Sequence, residues 1–196
     1  MCNYNLAIFS PGENVYSETF IRAHRDKLSG NIKFYYDGPI PKRIQGSIGT
    51  LVRELSPSRR AWLLLLRMLK IRDYSHLFLV ALCVSLKKHK IDVILAEYGP
   101  TAAHVLEACR KLRIPLVVHF HGYDASVYRV ISEYQARYSD VFRYAGKIVA
   151  VSTEMAEQLV ALGAPVDKIV VTPCAPSDNF FSIDVLQDRK TFISIG

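Results

Sequence analysis

Short, largely apolar runs separated by amphipathic stretches predict an α/β fold: a parallel sheet with helices on both faces. Three observations carry this. The runs at residues 6–9, 32–36, 92–96, 116–118, 147–151 and 169–172 lack strict alternation, as strands covered on both faces do. From residue 92 onward, strand and helix alternate regularly, the pattern of repeated βα units in a Rossmann-like layer. Gly or Pro punctuates the strand ends, at Gly38-Pro39, Gly99-Pro100, Gly122 and Pro173.

Taken in order, the first strand is Leu6 to Phe9, followed by the loop Ser10-Pro-Gly-Glu-Asn-Val-Tyr16. A helix is predicted from Ser17 to Leu28, with Ser17 as N-cap and Glu18 suiting the helix dipole. Ile21, His24 and Leu28 share one face of it, which places His24 at the edge of a packed stripe. The second strand ends at Tyr36, and residues 38–57 read as a loop holding at most a short helix. Ser56-Pro57 then opens a helix with Ser as cap and Pro at its first position. At 100° per residue it carries Arg59, Arg60, Arg67 and Lys70 on one side, with Trp62, Leu65, Leu66 and Leu69 opposite. Two readings stand for this helix: a basic amphipathic segment on an anionic membrane surface, or an ordinary helix with a solvated charged face.

Another helix covers residues 76–88. Asp92 to Ala96 is a strand, the loop Glu97-Tyr-Gly-Pro100 lies at its carboxyl end, and a helix follows to Arg113. The run from Leu116 to Val118 lies between Pro115 and Gly122 and delivers His121, Gly122 and Asp124 to the end of a buried strand. One long helix is predicted from Ala125 to Tyr144, then a strand at Lys147–Val151 and a helix capped by Ser152 and ended by Gly163. Thr191 to Ile195 reads as a further strand, so residues 1–190 form the first domain and 191–196 the opening strand of a second that is cut off or lost.

With 196 residues, half of them hydrophobic, the chain supports a sizeable core. A formal charge of +7 favours phosphates, anionic lipid or nucleic acid as partners. No basic arm, RNA-binding signature or finger-like spacing accompanies it, so no nucleic-acid partner is expected. Cys2, Cys83, Cys109 and Cys174 form neither a CxxC nor an even framework, and read as reduced, mostly buried thiols of a cytoplasmic protein. The N-terminus reads as a strand instead of a signal peptide, and the apolar run Leu77–Leu86 is far short of the ~20 residues that span a bilayer.

Several segments together resemble the N-terminal half of retaining glycosyltransferases of family 4, which have the GT-B fold. They are Ser17-Glu-Thr-Phe-Ile21, His119-Phe-His-Gly-Tyr-Asp124, Val151-Ser152, Gly163 to Ile169, Pro173, Asp178 to Phe181, and Phe192 to Gly196. The likeness is strongest to the bacterial branch that builds exopolysaccharides such as colanic acid. It implies sugar transfer from a nucleotide-activated donor to a saccharide or lipid-linked acceptor held by the N-terminal domain. The nucleotide sugar would be bound through the absent second domain, so this chain alone is expected to be inactive. The resemblance implies no cofactor beyond the nucleotide-sugar co-substrate, and a location in the cytoplasm or on the inner face of the cell membrane. Where the family has a glycine after Pro-Asn or Pro-Cys, this sequence reads Pro173-Cys-Ala-Pro.

By that resemblance His121 contacts the transferred sugar near the reaction centre and is the catalytic candidate; from the residues alone it is a polar group at a strand's carboxyl edge or a core histidine. His119, two residues deeper on the same strand face, reads as structural. Gly122 belongs to the same HGxD element. Asp124 either caps the following helix or contacts acceptor. Gly12 and Glu18 flank the loop facing the domain cleft, where Gly12 lets backbone approach a donor phosphate and Glu18 is equally a surface residue. Tyr98 and Gly99 line the acceptor pocket or pack. A metal bound by His119, His121 and Asp124 lacks a fuller ligand set in the neighbouring sequence, and no metal is expected. Two competing functions remain: a non-catalytic Rossmann-like module that binds a partner chain, and an enzyme resembling nucleotide-sugar epimerases.

Overall fold

Strand β1 (Asn5–Phe9) lies at the middle of the sheet and pairs in parallel with β2 (Asn31–Tyr36) on one side and β4 (Val93–Glu97) on the other. The computed structural model describes residues 4–13, 15, 16, 18–68 and 75–175. Among these, seven strands form one sheet in the order β3-β2-β1-β4-β5-β6-β7, where β3 is Arg43–Ile44, β5 Leu116–Phe120, β6 Lys147–Ala150 and β7 Ile169–Val171. All pairings are parallel except β2 with β3. The fold class expected from the apolar runs is the one observed.

The helices are α1 (Thr19–Lys27), α2 (Pro57–Met68), α3 (Ser75–Lys88), α4 (Gly99–Leu112), α5 (Tyr123–Ser126), α6 (Tyr128–Tyr144) and α7 (Thr153–Ala161). They sandwich the sheet between two apolar layers. The smaller joins Leu6, Ile8 and Phe34 to Ile21 of α1. The larger joins the other sheet face to α3, α4, α6 and α7, with Phe120, Tyr138 and Phe142 among its largest fully buried rings. The chain winds from β1 outward to β2, then returns across the sheet to β4. The order therefore reverses between β1 and β4, and a crevice opens at their carboxyl ends.

Three expectations change. Residues 38–57 are not simply loop: Arg43–Ile44 pairs antiparallel with Tyr35–Tyr36, after a turn that Asp37 and Gly38 make at φ 81° and 103°. A 3-10 turn follows at Leu51–Glu54 and buries Leu51. The long helix from residue 125 is two helices, because Val127 is extended (φ −78°, ψ 113°) between α5 and α6. No Gly or Pro marks that break; α5 is tied to β5 and α4, while α6 packs along α4, and one straight helix cannot satisfy both. Finally, α1 starts at Thr19 with Glu18 in the cap position and no capping side chain. The predicted cap Ser17 lies outside the described residues, as does the strand expected at residues 191–195.

None of the described side chains of α2 is buried. Of the predicted apolar side, Trp62 is 55% exposed, while the side chains of Leu65 and Leu66, and Leu69, lie outside the described residues; Met68, Arg59 and Arg60 are exposed as well. The side chain of Arg67, and Lys70, lie outside the described residues. Among those described, no helix is long and apolar enough to cross a membrane, and Cys83, Cys109 and Cys174 are free thiols. Cys109 is buried as expected, whereas Cys174 is exposed.

Candidate active site

Glu97 ends β4 as its last residue, paired in register with His119 of β5. Its side chain is 0% exposed, and its carboxylate gathers three imidazoles. His24 of α1 donates from Nδ1 at 2.7 Å to Oε1, and His121 donates from Nε2 at 2.8 Å to Oε2. His119 Nδ1 stands 3.4 Å from Oε2. A carboxylate only accepts, so Glu97 fixes which nitrogen of His24 and of His121 carries a proton toward it. Burial alone would raise its pKa, yet the hydrogen bonds from His119, His121 and His24 outweigh that and hold it far below the usual carboxylate range. Burial pulls His119 down and keeps that ring neutral, against the opposing pull of Glu97.

Sequence reasoning passed over Glu97. The available signal was an acidic residue closing an apolar strand beside the one carrying His-x-His. Its partner His24 also carries more than the packed-edge role predicted for it.

The His121 ring is 4% exposed. Phe20 stacks on it at 4.2 Å between centroids, Tyr98 tilts against it at 4.9 Å, and His119 lies 4.0 Å away. The imidazole thus lies one layer beneath the surface, covered by Phe20 of α1 and Tyr98 of the β4–α4 junction. Its Nε2 is spent on the Glu97 carboxylate. His119 is buried, as predicted.

Asp124 lies inside α5, which begins at Tyr123 with Gly122 in the cap position, and it makes no cap hydrogen bond to that helix. Fully buried, it accepts the backbone N–H of Gly99 at 2.8 Å and of His121 at 2.9 Å, joining the first turn of α4 to the exit of β5. Burial pushes its pKa up, and those two N–H groups oppose the push. The Tyr138 hydroxyl donates to the Asp124 carbonyl oxygen at 2.9 Å and completes the tie. Gly122 turns at φ 93° to bring Asp124 beneath this junction. Gly99 is needed for space: a Cβ there would lie 2.5 Å from the Phe120 ring and 2.8 Å from Tyr138.

Tyr98 sits between them at φ 73°, ψ 141°, a conformation that costs a non-glycine residue about 1–3 kcal/mol. It is held there from both ends. Its N–H donates to the His119 carbonyl at 2.9 Å, and its hydroxyl donates to Glu18 Oε1 at 2.8 Å. Burial, then Glu18, drives the phenol pKa upward, so the hydroxyl stays a donor. Glu18 is thus a partner of Tyr98 across the sheet reversal. Gly12 needs no left-handed backbone, and its N–H turns back to Ser10 Oγ at 3.3 Å.

Above this layer opens a cleft of ≈ 790 Å³. Tyr98, Tyr123 and Tyr134 provide aromatic surface, Glu18 and Glu133 carboxylates, and Arg129 a cation. Thr101 also lines it, and its buried Oγ1 has no hydrogen-bond partner. Of the predicted site residues, Glu18 and Tyr98 face this cleft, while His121, Gly99 and Asp124 support it from beneath. Two groups have the chemistry for a metal ion: His24, Glu97 and His119, and His119, His121 and Cys174.

Comparison with known proteins follows the same lines. WcaL of Salmonella typhimurium, a provisionally assigned colanic acid biosynthesis glycosyltransferase, is 34% identical over 101 residues, covering 50% of this chain and 25% of that protein. WcaL of Escherichia coli K12 is 32% identical over the same length and share. The chain thus spans about a quarter of the length of the curated relatives it matches. The crystal structure of Anabaena Alr3699/HepE in complex with UDP superposes with a TM-score of 0.55 at 15% identity, over 91% of this chain and 46% of that one. The Staphylococcus aureus MnaA–UDP structure gives 0.52 at 12% identity, over 87% and 44%. These likenesses show a shared fold. The family model Glycosyltransferase Family 4 matches residues 47–176, more than half of the sequence, and the chain belongs to that family.

Proposed function

We propose that this chain is the acceptor-side half of a retaining GT-B glycosyltransferase, which moves a sugar from a nucleotide-sugar donor to a saccharide or lipid-linked acceptor in bacterial surface polysaccharide synthesis. The observation that carries the reading is the cleft at the β1/β4 reversal, walled by three tyrosines and two carboxylates. Aromatic faces offer stacking surface to the apolar C–H face of a pyranose, and carboxylates accept from its hydroxyls. Membership of the family supports the reading, as do relatives named for colanic acid biosynthesis and structural neighbours solved with UDP. The donor nucleotide would be bound by a second domain.

In this reading the chain contributes positioning. Tyr98 and Glu18 hold one edge of the acceptor, Gly122 and Asp124 fix the loop beneath, and His121 braces Tyr98 and Phe20 near the transferred sugar. The donor's own phosphate assists removal of the acceptor proton, so no nucleophile from this chain is required. Equilibrium dialysis against prenyl-phosphate saccharides and against nucleotide sugars tests it. Binding of the former, weakened at least tenfold in Tyr134→Ala, is expected, with nucleotide sugars bound weakly. Binding of neither, with a stable dimer covering the strand ends, would favour a partner-binding module; tight binding of nucleotide sugar alone would favour an epimerase-like enzyme.

The exposed Trp62, Leu64 and Met68 of α2, beside Arg59 and Arg60, support a peripheral contact with anionic lipid on the cytoplasmic face of the membrane. Arg67 and Lys70 extend that basic face in sequence. Flotation with anionic liposomes, lost when Arg59 and Arg60 are both changed to Gln, checks this; flotation unaffected by the change overturns it.

A further inference from the structure

We propose that His119, His121 and Cys174 form a binding site for a thiophilic divalent cation, zinc by chemical class, which clips the segment leaving β7 onto the end of β5. The argument begins with an orphan. His119 Nε2 is buried and has no hydrogen-bond partner, a state that native interiors avoid for a polar atom. Its Nδ1 faces Glu97, so Nε2 is the nitrogen left to bind something else.

Strand geometry brings the second ligand. Residues 119 and 121 project to the same face at the end of β5, and their rings lie 4.0 Å apart. His121 donates a hydrogen bond from Nε2–H to Glu97, which leaves the Nδ1 lone pair for coordination. The third ligand comes from far along the chain. Thr172 donates its N–H to the Ala150 carbonyl at 2.8 Å, which lays the chain over the end of β6. Two residues later Cys174 reaches the two histidines. One ring nitrogen of each histidine and the Cys174 Sγ lie within 4.8 Å of one another. Tetrahedral zinc with bonds of about 2.0–2.3 Å separates its ligands by roughly 3.3–3.8 Å. Cys174 is exposed at the end of the described chain, and a shift there closes the set.

Charge and outer-shell chemistry agree. Glu97 is buried and ionised, and its contacts to both histidines match the carboxylate–histidine–metal arrangement that orients a metal-binding imidazole. A divalent ion bound by the Cys174 thiolate beside the Glu97 carboxylate leaves the cluster neutral, and the thiol proton leaves to solvent. The other group, His24 with Glu97 and His119, is a weaker choice because His24 and Glu97 already spend their facing atoms on each other. Two nitrogens and one sulfur leave a fourth position for water or another group.

Cobalt(II) titration of the full chain under reducing conditions tests the site. Expected are one ion per chain, intense visible bands of a tetrahedral ion, a thiolate-to-cobalt charge-transfer band, and displacement of both by zinc. Cys174→Ser is exposed and safe for folding. It should abolish the charge-transfer band and weaken zinc at least about tenfold, the minimum that losing even an outer-shell partner costs. Cys83→Ser should change neither. Zinc should also raise the thermal midpoint of the unaltered chain and not of Cys174→Ser. Absence of the charge-transfer band, or its persistence in Cys174→Ser, overturns the proposal.

Discussion

His24 and Glu97, 73 positions apart, share a 2.7 Å hydrogen bond that fastens α1 to the end of β4. The same carboxylate carries His121, so one buried charge holds α1, β4 and β5 together. Removing it strands the N–H groups of His24 and His121 and the facing Nδ1 of His119. Glu97→Ala is expected to lower stability by about 3–6 kcal/mol, since two hydrogen bonds to a charged acceptor are worth about 1.5–3 kcal/mol each. Glu97→Gln, which keeps shape and one acceptor, should cost about 1.5–3 kcal/mol. Urea unfolding midpoints measure both, and a Gln variant as stable as the parent would show that charge does not matter there.

Asp124 is expected to be structural to a degree its motif position hides. Asp124→Asn can accept only one of the two backbone N–H groups of Gly99 and His121, and turns an NH₂ toward the other. A loss of about 1–3 kcal/mol is expected from one unsatisfied buried donor. Amide hydrogen exchange should localise it, with faster exchange at Gly99 or His121 and little change in β7.

Gly99→Ala tests packing without touching any polar group. The new methyl would lie 2.5 Å from Phe120, inside van der Waals contact. Overpacking of about 1–3 kcal/mol is expected. Phe120→Leu in the same chain should recover part of it, and a double variant no better than the sum of its parts would count against this account.

His104 gives the pH dependence. Burial, then Arg137, lowers its pKa from 6.5 in the folded chain, while Glu133 opposes this. Tyr134 and Arg137 contact its two nitrogens, and His76, Glu107 and Arg137 share the surface groove beside it. The unfolded chain therefore takes up the proton first on acidification. The contribution is fully present above pH 6.5 and is lost as pH falls toward the folded value. Stability should decline between pH 7 and pH 5 more steeply in the unaltered chain than in His104→Gln, as read by thermal midpoints across that range.

Much of the fold was legible because each apolar run reports the burial of its own segment. The parallel strands, the helix at Ser152 and the stop at Gly163 follow from local pattern and cap chemistry, and Ser152 does cap α7 by accepting from the Met155 N–H at 3.2 Å. The break at Val127 was not legible: periodicity continues across it, and the force that bends the chain there comes from Asp124 reaching another helix. Trp62 shows the opposite failure, since an amphipathic pattern states that a face is apolar and not what covers it.

The site divides along the same line. Residue order alone placed His119, His121 and Asp124 at the end of a buried strand, because a period of two and a terminating glycine suffice for that. Folding decided that Glu97 sits among three imidazoles, that Tyr98 reaches Glu18, and that Cys174 arrives beside His119. Those contacts depend on which strands become neighbours, and neighbourhood in a sheet is settled by the packing of whole layers rather than by any one stretch of chain.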